Sequence, residues 1–345
     1  MLKAAVIGLG IGNQHARFYS NHDQCQLIGL CDIDNYKLRK ISAEFKGIVI
    51  STNEWKDICR HPDIDIVSIA SFDQHHAEQI LYALDHGKHL FVEKPLCQNR
   101  AQLNEIYTKW STKEKHIISN LPLRKAPLFS WLRTAVRNGD FGEIYAIDGD
   151  YLYGRINKIT SGWRSTSENY SVLLGGAIHL LDLVLNITDQ YPEMVSSHGN
   201  KIATRGTDFR YNDYVVSQFH FKSGLICRLS ANFGCVHHHQ HVLRIFGTKS
   251  TFLLDDAGPR LIEHRDSLDM DDYEARQTIS RRPKEIKLSS RPNAKGALID
   301  NLITAIKSEI QTPSALHEFR LIDACLAAEE SLHSGKPEHI GQFHE

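Results

Sequence analysis

The segment Leu2-Lys3-Ala4-Ala5-Val6-Ile7-Gly8-Leu9-Gly10-Ile11-Gly12-Asn13 decides the fold of the first part of the chain. Its apolar first half predicts a strand, and its three glycines predict a tight turn into a helix that begins at about Gln14. Such glycines let the backbone approach a pyrophosphate, and the helix N-terminus offers free N–H groups to the anion. The usual fingerprint is G-x-G-x-x-G/A, and here the third glycine comes one residue early. The turn predicts a dinucleotide site lined by Gly8, Gly10, Ile11 and Gly12.

Short apolar strands alternate with amphipathic helices over the next hundred residues. Strands are predicted at residues 4–7, 27–31, 64–70, 89–92 and 116–119, and helices at residues 35–44, 74–86 and 100–115. Alternation with short links is typical of a parallel sheet that carries helices on both faces. We therefore predict an α/β protein whose residues 1–120 form a Rossmann domain with a doubly wound parallel sheet.

The pattern changes beyond residue 121. Hairpin-linked strands are predicted at residues 214–221, 225–232, 241–246 and 250–254, after a strand at 144–153. Helices are predicted at residues 128–138, 173–185, 298–308 and 319–334, and the charged segment 266–292 is expected to be loop with an edge strand. Residues 121–345 should thus form a substrate-binding α+β domain with a large open, mostly antiparallel sheet. Few helices lie nearby to cover both faces of this sheet, so we predict a homo-dimer or homo-tetramer.

Composition excludes several classes of protein. The 345 residues are 41% hydrophobic, and 40 Lys and Arg balance 41 Asp and Glu to a formal net charge of -1. This balance argues against nucleic acid or an anionic membrane as a partner. No apolar run is long enough for a membrane helix, and the N-terminal residues do not resemble a signal peptide. The seven cysteines include no C-x-x-C pair, which is typical of a reducing compartment. We expect a cytoplasmic protein.

An acidic residue, Asp32, ends the second predicted strand about 20 residues after the glycine turn. A carboxylate in this position accepts hydrogen bonds from the ribose hydroxyls of NAD, and it would repel the 2′-phosphate of NADP. The sequence therefore favours NAD as cofactor. Lys37 and Arg39 follow closely in the sequence. If either neutralised the Asp32 carboxylate, the site could accept the 2′-phosphate of NADP.

The segment His89-Leu90-Phe91-Val92-Glu93-Lys94-Pro95 places a lysine at the carboxyl end of a buried strand. Ligands bind at that edge of open parallel sheets. On chemistry alone, Lys94 is either a functional cation or the partner of Glu93 in a structural ion pair.

Several motifs together make the chain resemble the glucose–fructose oxidoreductase / inositol dehydrogenase (Gfo/Idh/MocA) family. The motifs are Gly8-Leu9-Gly10…His15, Ala70-Ser71…His76, Gly87-Lys88-His89…Glu93-Lys94-Pro95, Arg124…Pro127, Gly139…Phe141-Gly142-Glu143-Ile144, Gly162-Trp163-Arg164, Gly175-Gly176-Ala177-Ile178-His179…Asp182 and Ile245-Phe246-Gly247-Thr248-Lys249-Ser250. They run in order over nearly the whole chain, and Glu-Lys-Pro in this position is highly indicative. The resemblance implies an NAD(P)-dependent oxidoreductase acting on a CH–OH group of a sugar, polyol or nucleotide-linked sugar.

The resemblance also implies roles for individual residues. Lys94 and His179 correspond to the family's catalytic lysine and acid/base histidine, and Trp163 and Arg164 to a pair near the substrate. We expect Arg124 and Arg164 to anchor an anionic part of the substrate. The cofactor-binding set is Gly8, Gly10, Ile11, Gly12, Asp32, Ser71, His76, Glu93 and Lys94. One departure stands out, because Gly175 lies four residues before His179, where the family often has aspartate.

Alternatives stay open at three points. Without the family resemblance, His76 would be interpreted as a helix-capping residue and His179 as a core residue. The absence of an acid at Gly175 is also compatible with a non-catalytic NAD-binding sensor or scaffold. If residues 237–241 form a strand, His237, His239 and His241 share one face and could hold zinc. We favour a polar strand edge or a subunit contact there and predict no metal.

Overall fold

The computed structural model describes residues 1–113, 115–263, 283–292, 296–308, 314–341 and 343. The chain folds as two compact units. The first comprises Met1–Lys125, Pro292–Ala327 and Gly341–Glu345, and the second comprises Ala126–Arg291 and Ala328–Ile340. Among the described residues, no helix combines the length and the apolar character needed to cross a membrane.

The first unit contains the predicted parallel sheet. Its strands are β1 (Leu2–Ile7), β2 (Cys25–Cys31), β3 (Ile50–Thr52), β4 (Ile66–Ile69), β5 (His89–Val92) and β6 (Ile117–Ser119), and its connecting helices are α1 (Gly12–Ser20), α2 (Asn35–Ser42), α3 (Trp55–Arg60), α4 (His76–Asp85) and α5 (Arg100–Trp110). Over the described residues the strand order is β3-β2-β1-β4-β5-β6, and every pair is parallel. This is the doubly wound order, with its reversal between β1 and β4.

A helix from far along the chain completes the core of the first unit. The helix α10 (Ile299–Lys307) buries Ile299, Leu302 and Ile303 in the same cluster as Val6 and Phe91. The structure therefore places the described part of Pro292–Ala327 with the Rossmann sheet, whereas the sequence analysis assigned all of 121–345 to the second domain. The amphipathic spacing of α10 identifies a helix with one buried face, but it does not specify which sheet that face covers.

The second unit is built on a larger sheet. It contains β7 (Ile144–Leu152), β8 (Pro192–Asn200), β9 (Tyr214–Phe221), β10 (Ile226–Asn232), β11 (Gln240–Gly247), β12 (Thr251–Asp255), β13 (Gly258–Ile262), β14 (Lys284–Glu285) and β15 (Glu338–His339). In the described part of the chain the order is β14-β13-β12-β11-β7-β10-β9-β8-β15, with β7 and β10 parallel and the other pairs antiparallel. The predicted large, mostly antiparallel sheet is confirmed. The edge strand expected within 266–292 is β14, and residues 266–282 of that segment lie outside the described part.

Short helices accompany this sheet. They are α6 (Pro127–Arg137), α7 (Asn157–Thr160), α8 (Trp163–Thr166) and α9 (Ile178–Thr188), and α11 (Ser314–Ser334) runs from the first unit into the second. The segment Leu173–Ala177 forms one turn of π-helix directly before α9. Single π-turns inside helices are frequent at functional sites. The predicted helix at 173–185 therefore consists of two segments, and His179 lies just after the π-turn.

The two faces of this sheet differ in polarity. Along β7, Ile147, Gly149 and Tyr151 are buried on the face against which α9 packs. The alternate residues Asp148 and Asp150 are partly exposed, and both pair with Arg228 of β10 at 2.9 Å. In the part of the chain described, α9 and the π-turn thus lie on one face, and the other carries charged pairs beside the 44% exposed Ile226.

Candidate functional site

The glycine turn after β1 has the features that a dinucleotide requires. Gly8 has φ +85°, and a Cβ there would lie 2.4 Å from the Ala70 carbonyl oxygen. A Cβ at Gly12 would lie 2.8 Å from Val6 Cγ1, so this early third glycine allows the close approach of α1 to β1. At Gly10, no described neighbour lies within 4 Å of a Cβ position. Its backbone therefore borders open space at the N-terminus of α1, where a pyrophosphate would bind.

Asp32 lies against this turn. Its carboxylate accepts hydrogen bonds from the Leu9 N–H at 2.7 Å and from the Asp34 N–H at 2.9 Å. Lys37 Nζ lies 3.4 Å from both carboxylate oxygens. The residues present thus fit the adenosine half of NAD or NADP, and Lys37 lies within reach of the Asp32 carboxylate. The guanidinium of Arg39 instead donates to the Asn35 carbonyl.

The carboxylate of Glu93 belongs to a buried polar network. It accepts a hydrogen bond from Asn120 Nδ2 at 2.6 Å, and His15 Nε2 lies 3.2 Å away. Burial opposes ionisation of Glu93, but the hydrogen bonds from His15 and Asn120 and the nearby charge of Lys94 together hold its pKa below the usual value. The ionised form of Glu93 is therefore favoured, and Glu93 precedes Lys94 in the chain. The sequence left open whether these two residues form an ion pair.

His76 joins two loops that follow neighbouring strands. Its ring nitrogens lie 2.7 Å from the Pro95 carbonyl and 3.1 Å from the Ser71 carbonyl, and the side chain is fully buried. The Ser71 hydroxyl donates to Gln79 at 2.7 Å. His76 thereby ties the loop after β4 to the Glu-Lys-Pro loop after β5. This geometry supports a positioning role, and the predicted direct contact with the cofactor stays a prediction.

Arg124 lies beside a buried acid in the first unit. Its Nη1 donates to Glu318 Oε1 at 2.8 Å, and the two side chains are only 11% and 1% exposed. A buried carboxylate needs such a partner, since an unpaired buried charge is strongly destabilising. The structure therefore gives Arg124 a structural ion pair, which the sequence did not indicate, and its substrate contact stays a prediction.

In the second unit, aromatic rings surround His179. Its ring stacks on Tyr151 with centroids 5.9 Å apart, and it meets His241 edge-on at 6.1 Å. Tyr151 also contacts the ring of His239 at 5.2 Å. We call these four side chains, His179, Tyr151, His239 and His241, the imidazole cluster.

Neutral histidines predominate around His179 near pH 7. Burial lowers the pKa of His241 to about 4. Burial also lowers the pKa of His239, helped by the positive charges of Arg155 and Arg291. A neutral imidazole both donates and accepts one hydrogen bond, which suits hydroxyl groups. The buried Nε2 of His239 has no hydrogen-bond partner among the described residues.

Trp163 and Arg164 contact aromatic side chains that connect to the imidazole cluster. The Arg164 guanidinium lies 4.5 Å from the Trp163 ring centroid and 5.9 Å from that of Tyr170. Tyr170 contacts Phe233, and Phe233 contacts Tyr151 of the imidazole cluster. Three predicted site residues of the second unit, Trp163, Arg164 and His179, are therefore linked through continuous ring contacts.

Tyr170 occupies the space beside Gly175. A Cβ at Gly175 would lie 2.6 Å from the Tyr170 hydroxyl and 3.2 Å from Cζ of that ring. At Gly176, a Cβ would lie 2.6 Å from a ring carbon of Tyr151. The glycine pair thus lets two tyrosine rings pack against the backbone one turn before His179. The sequence analysis did not predict either tyrosine as a site residue, although Tyr151 lies in a predicted strand at a position whose side chain faces inward.

The histidine run does not form the arrangement considered from the sequence. β11 begins at Gln240, so His237 and His239 precede the strand, and His237 does not join His239 and His241, whose ring centroids lie 5.1 Å apart. His239 and His241 join the imidazole cluster, whereas His237 and His238 lie beside Asp256.

Comparison with known proteins identifies the class. Residues 2–121 match the model described as oxidoreductase family, NAD-binding Rossmann fold, and residues 129–253 match the GFO/IDH/MocA C-terminal domain. The chain is an oxidoreductase-family protein with an NAD-binding Rossmann domain. It belongs to the Gfo/Idh/MocA family, as the motifs indicated.

Individual relatives are distant. A glycosyl hydrolase family 109 protein of Bacteroides fragilis is 28% identical over 169 residues, 44% of this chain and 35% of that protein. The chain thus spans about a third of the length of this curated relative. The myo-inositol 2-dehydrogenase of Thermotoga maritima is 24% identical over 74% of this chain and 75% of its own length. The structure of scyllo-inositol dehydrogenase from Lactobacillus casei, with bound NAD(H) and scyllo-inositol, has a TM-score of 0.77 at 18% identity, covering 98% and 99% of the two chains.

Proposed function

We propose that this protein is an NAD-dependent dehydrogenase that transfers a hydride between nicotinamide and a hydroxyl-bearing carbon of a sugar, polyol or nucleotide-linked sugar. The observation that carries the proposal is the turn at Gly8, Gly10 and Gly12 with Asp32 bonded to it, which fits a dinucleotide. The names of two relatives, both inositol dehydrogenases, support a polyhydroxylated substrate.

The chain's own residues would supply binding and proton transfer. The bound nicotinamide supplies the hydride acceptor. By the family resemblance, His179 accepts the hydroxyl proton, and Lys94 stabilises developing negative charge. The neighbouring imidazoles of His239 and His241 offer hydrogen bonds to further hydroxyl groups without adding positive charge beside His179.

Activity is tested by following NADH absorbance with a panel of inositols, sugars and nucleotide-linked sugars, in both directions. Turnover of any panel member at a rate above that of the His179→Ala variant supports the dehydrogenase. Tight NADH binding without turnover supports the alternative, a non-catalytic NAD-binding sensor or scaffold. Aryl glycosides belong in the panel because one group of relatives is named for glycosyl hydrolysis.

We expect NADH to bind at least about tenfold more tightly than NADPH, because Asp32 would repel a 2′-phosphate. Calorimetric titration of the wild-type protein with both cofactors measures this ratio. The variant Lys37→Ala is the matched test, since Lys37 Nζ is 3.4 Å from the carboxylate and is the cation able to accommodate a 2′-phosphate. This change should weaken NADPH binding and leave NADH binding nearly unchanged. Equal or tighter wild-type binding of NADPH would contradict the assignment.

We also propose that the open face of the second sheet forms a homo-oligomer. Ile226 is 44% exposed on that face beside the Arg228 ion pairs, and uncovered sheet faces usually find a partner. Light scattering at micromolar concentration should give a multiple of 39.2 kDa. Ile226→Asp should shift the protein toward monomer, whereas Ile202→Asp, at a site 57% exposed outside the strands, should not. A stable wild-type monomer would refute this prediction.

A further inference from the structure

Three possible metal ligands converge outside the site described above. His237 Nε2 lies 3.2 Å from one carboxylate oxygen of Asp256, and His238 Nε2 lies 3.4 Å from the other. The ligand atoms of the three residues all lie within 4.8 Å of one another. We propose that His237, His238 and Asp256 bind a Zn²⁺ ion, or a similar divalent transition-metal ion, at one end of the second sheet.

The local fold holds this group together. The two histidines lie in the connection between β10 and β11, and Asp256 lies in the turn between β12 and β13. β11 pairs with β12 in a register that joins Leu243 to Leu254, so both ligand segments come to the same end of neighbouring strands. The carbonyl of His237 rests on the backbone of Gly154, which has no Cβ to obstruct it. One ligand segment is therefore already fixed before a metal binds.

The tautomer of His237 favours a cation between the ligands. Its Nδ1 lies 2.9 Å from the His238 carbonyl oxygen and can only donate to it. In the neutral ring this leaves Nε2 as an acceptor that faces a carboxylate oxygen, also an acceptor. Two acceptors 3.2 Å apart need a proton or a metal ion between them. A histidine whose second nitrogen donates to a backbone carbonyl is the usual arrangement at metal sites.

The distances suit zinc after a small movement. Zinc bonds of about 2.0–2.2 Å in tetrahedral geometry place neighbouring ligand atoms about 3.3 Å apart. His237 Nε2 lies 3.2 Å from one Asp256 oxygen and His238 Nε2 lies 3.4 Å from the other, so each histidine is close to this spacing, and a small movement brings both to the same oxygen. His238 is 68% exposed, so its side chain can rotate to complete the site. Two imidazoles, one carboxylate and an open position form a plausible zinc ligand set.

Calorimetric titration of the EDTA-treated full chain with ZnCl₂ tests the proposal. We expect one site that His238→Ala and Asp256→Asn each weaken at least about tenfold, because each variant removes one of three ligands. His22→Ala is the matched control, since His22 forms an exposed pair with Asp300 at 3.0 Å outside any such three-residue group in the described chain. Co²⁺ should give the visible absorption of a four-coordinate ion in wild-type protein and not in Asp256→Asn.

The opposite result is equally clear. If wild-type, His238→Ala and Asp256→Asn proteins bind Zn²⁺ alike, the group is a proton-bridged histidine–aspartate contact and the metal site is refuted. All three positions are on exposed or partly exposed loops, so neither variant should unfold the protein. Thermal melting with and without Zn²⁺ gives a second readout, in which only proteins that retain the site should be stabilised.

Discussion

Replacing His179 by alanine is expected to lower turnover by about a hundredfold to ten-thousandfold, which is the range that general acid–base assistance supplies. The affinity for NADH should stay nearly unchanged, because the residues proposed to bind the dinucleotide are those of the glycine turn and Asp32. Stopped-flow measurement of hydride transfer on a confirmed substrate, with calorimetric titration of NADH, separates the two quantities. Wild-type turnover in His179→Ala would show that this histidine only packs in the ring cluster.

His241→Ala is the informative control for this variant. It removes another imidazole from the same cluster, 6.1 Å from His179, and it leaves the assigned base in place, so loss of the proposed hydroxyl contact should appear in KM. Loss of packing alone should affect both variants similarly, whereas the loss of a proton acceptor should affect only His179→Ala to this extent. His179→Gln adds a side chain of similar length that cannot act as a base at neutral pH, so it should stay as inactive as His179→Ala.

Lys94→Ala is expected to be at least as damaging to turnover. Glu93 lies next to Lys94 in the chain and keeps its hydrogen bonds with His15 and Asn120, so removal of the lysine takes away the cation and only part of the electrostatic support of the Glu93 carboxylate. Glu93→Gln in the Lys94→Ala background separates these effects. If the double variant regains stability but not turnover, the lysine acts on the substrate. If it regains turnover, Lys94 is only the partner of Glu93.

The sequence predicted the parts of this architecture that depend on local patterns. Alternating strands and helices with a glycine turn identified the parallel sheet, and hairpin spacing identified β9 to β12 of the second sheet, whereas β8 was not predicted. Strand β3 and helix α3 were missed, because three and six residues are too short for periodicity to appear. The placement of α10 was missed because the partner of a buried helix face is a tertiary property.

In the candidate site, too, residues within local motifs could be predicted, whereas contacts between distant segments could not. Motifs predicted roles for Asp32, Lys94, His179, Trp163 and Arg164, since each lies within a short recognisable segment, and these roles stay predictions. Tyr151, Tyr170 and Phe233 come from separate segments and meet only in the folded chain. The ion pair between Arg124 and Glu318 joins residues 194 positions apart, so no local pattern could indicate it.

Gly175→Asp is expected to lower both stability and turnover, although it introduces the residue that the family often has there. The reason is the position of Tyr170, whose hydroxyl lies 2.6 Å from the site of the new Cβ. Overpacking of this kind costs about 1–3 kcal/mol, and displacement of Tyr170 would also disturb its contacts with Arg164 and Phe233. Gly175→Ala separates the two causes, because it adds the Cβ without a charge.

The decisive measurement is a double-mutant cycle that combines Gly175→Asp with Tyr170→Phe, followed by denaturant unfolding and by turnover. Tyr170→Phe removes the overlapping hydroxyl and keeps the ring, which is 7% exposed within the aromatic contacts. If Tyr170 excludes an acid at position 175, the double variant should be more stable than the sum of the single changes predicts, by about 0.5–3 kcal/mol. Additive effects, or a stable Gly175→Asp protein with raised turnover, would show that Tyr170 moves aside and that the missing carboxylate limits the wild-type enzyme.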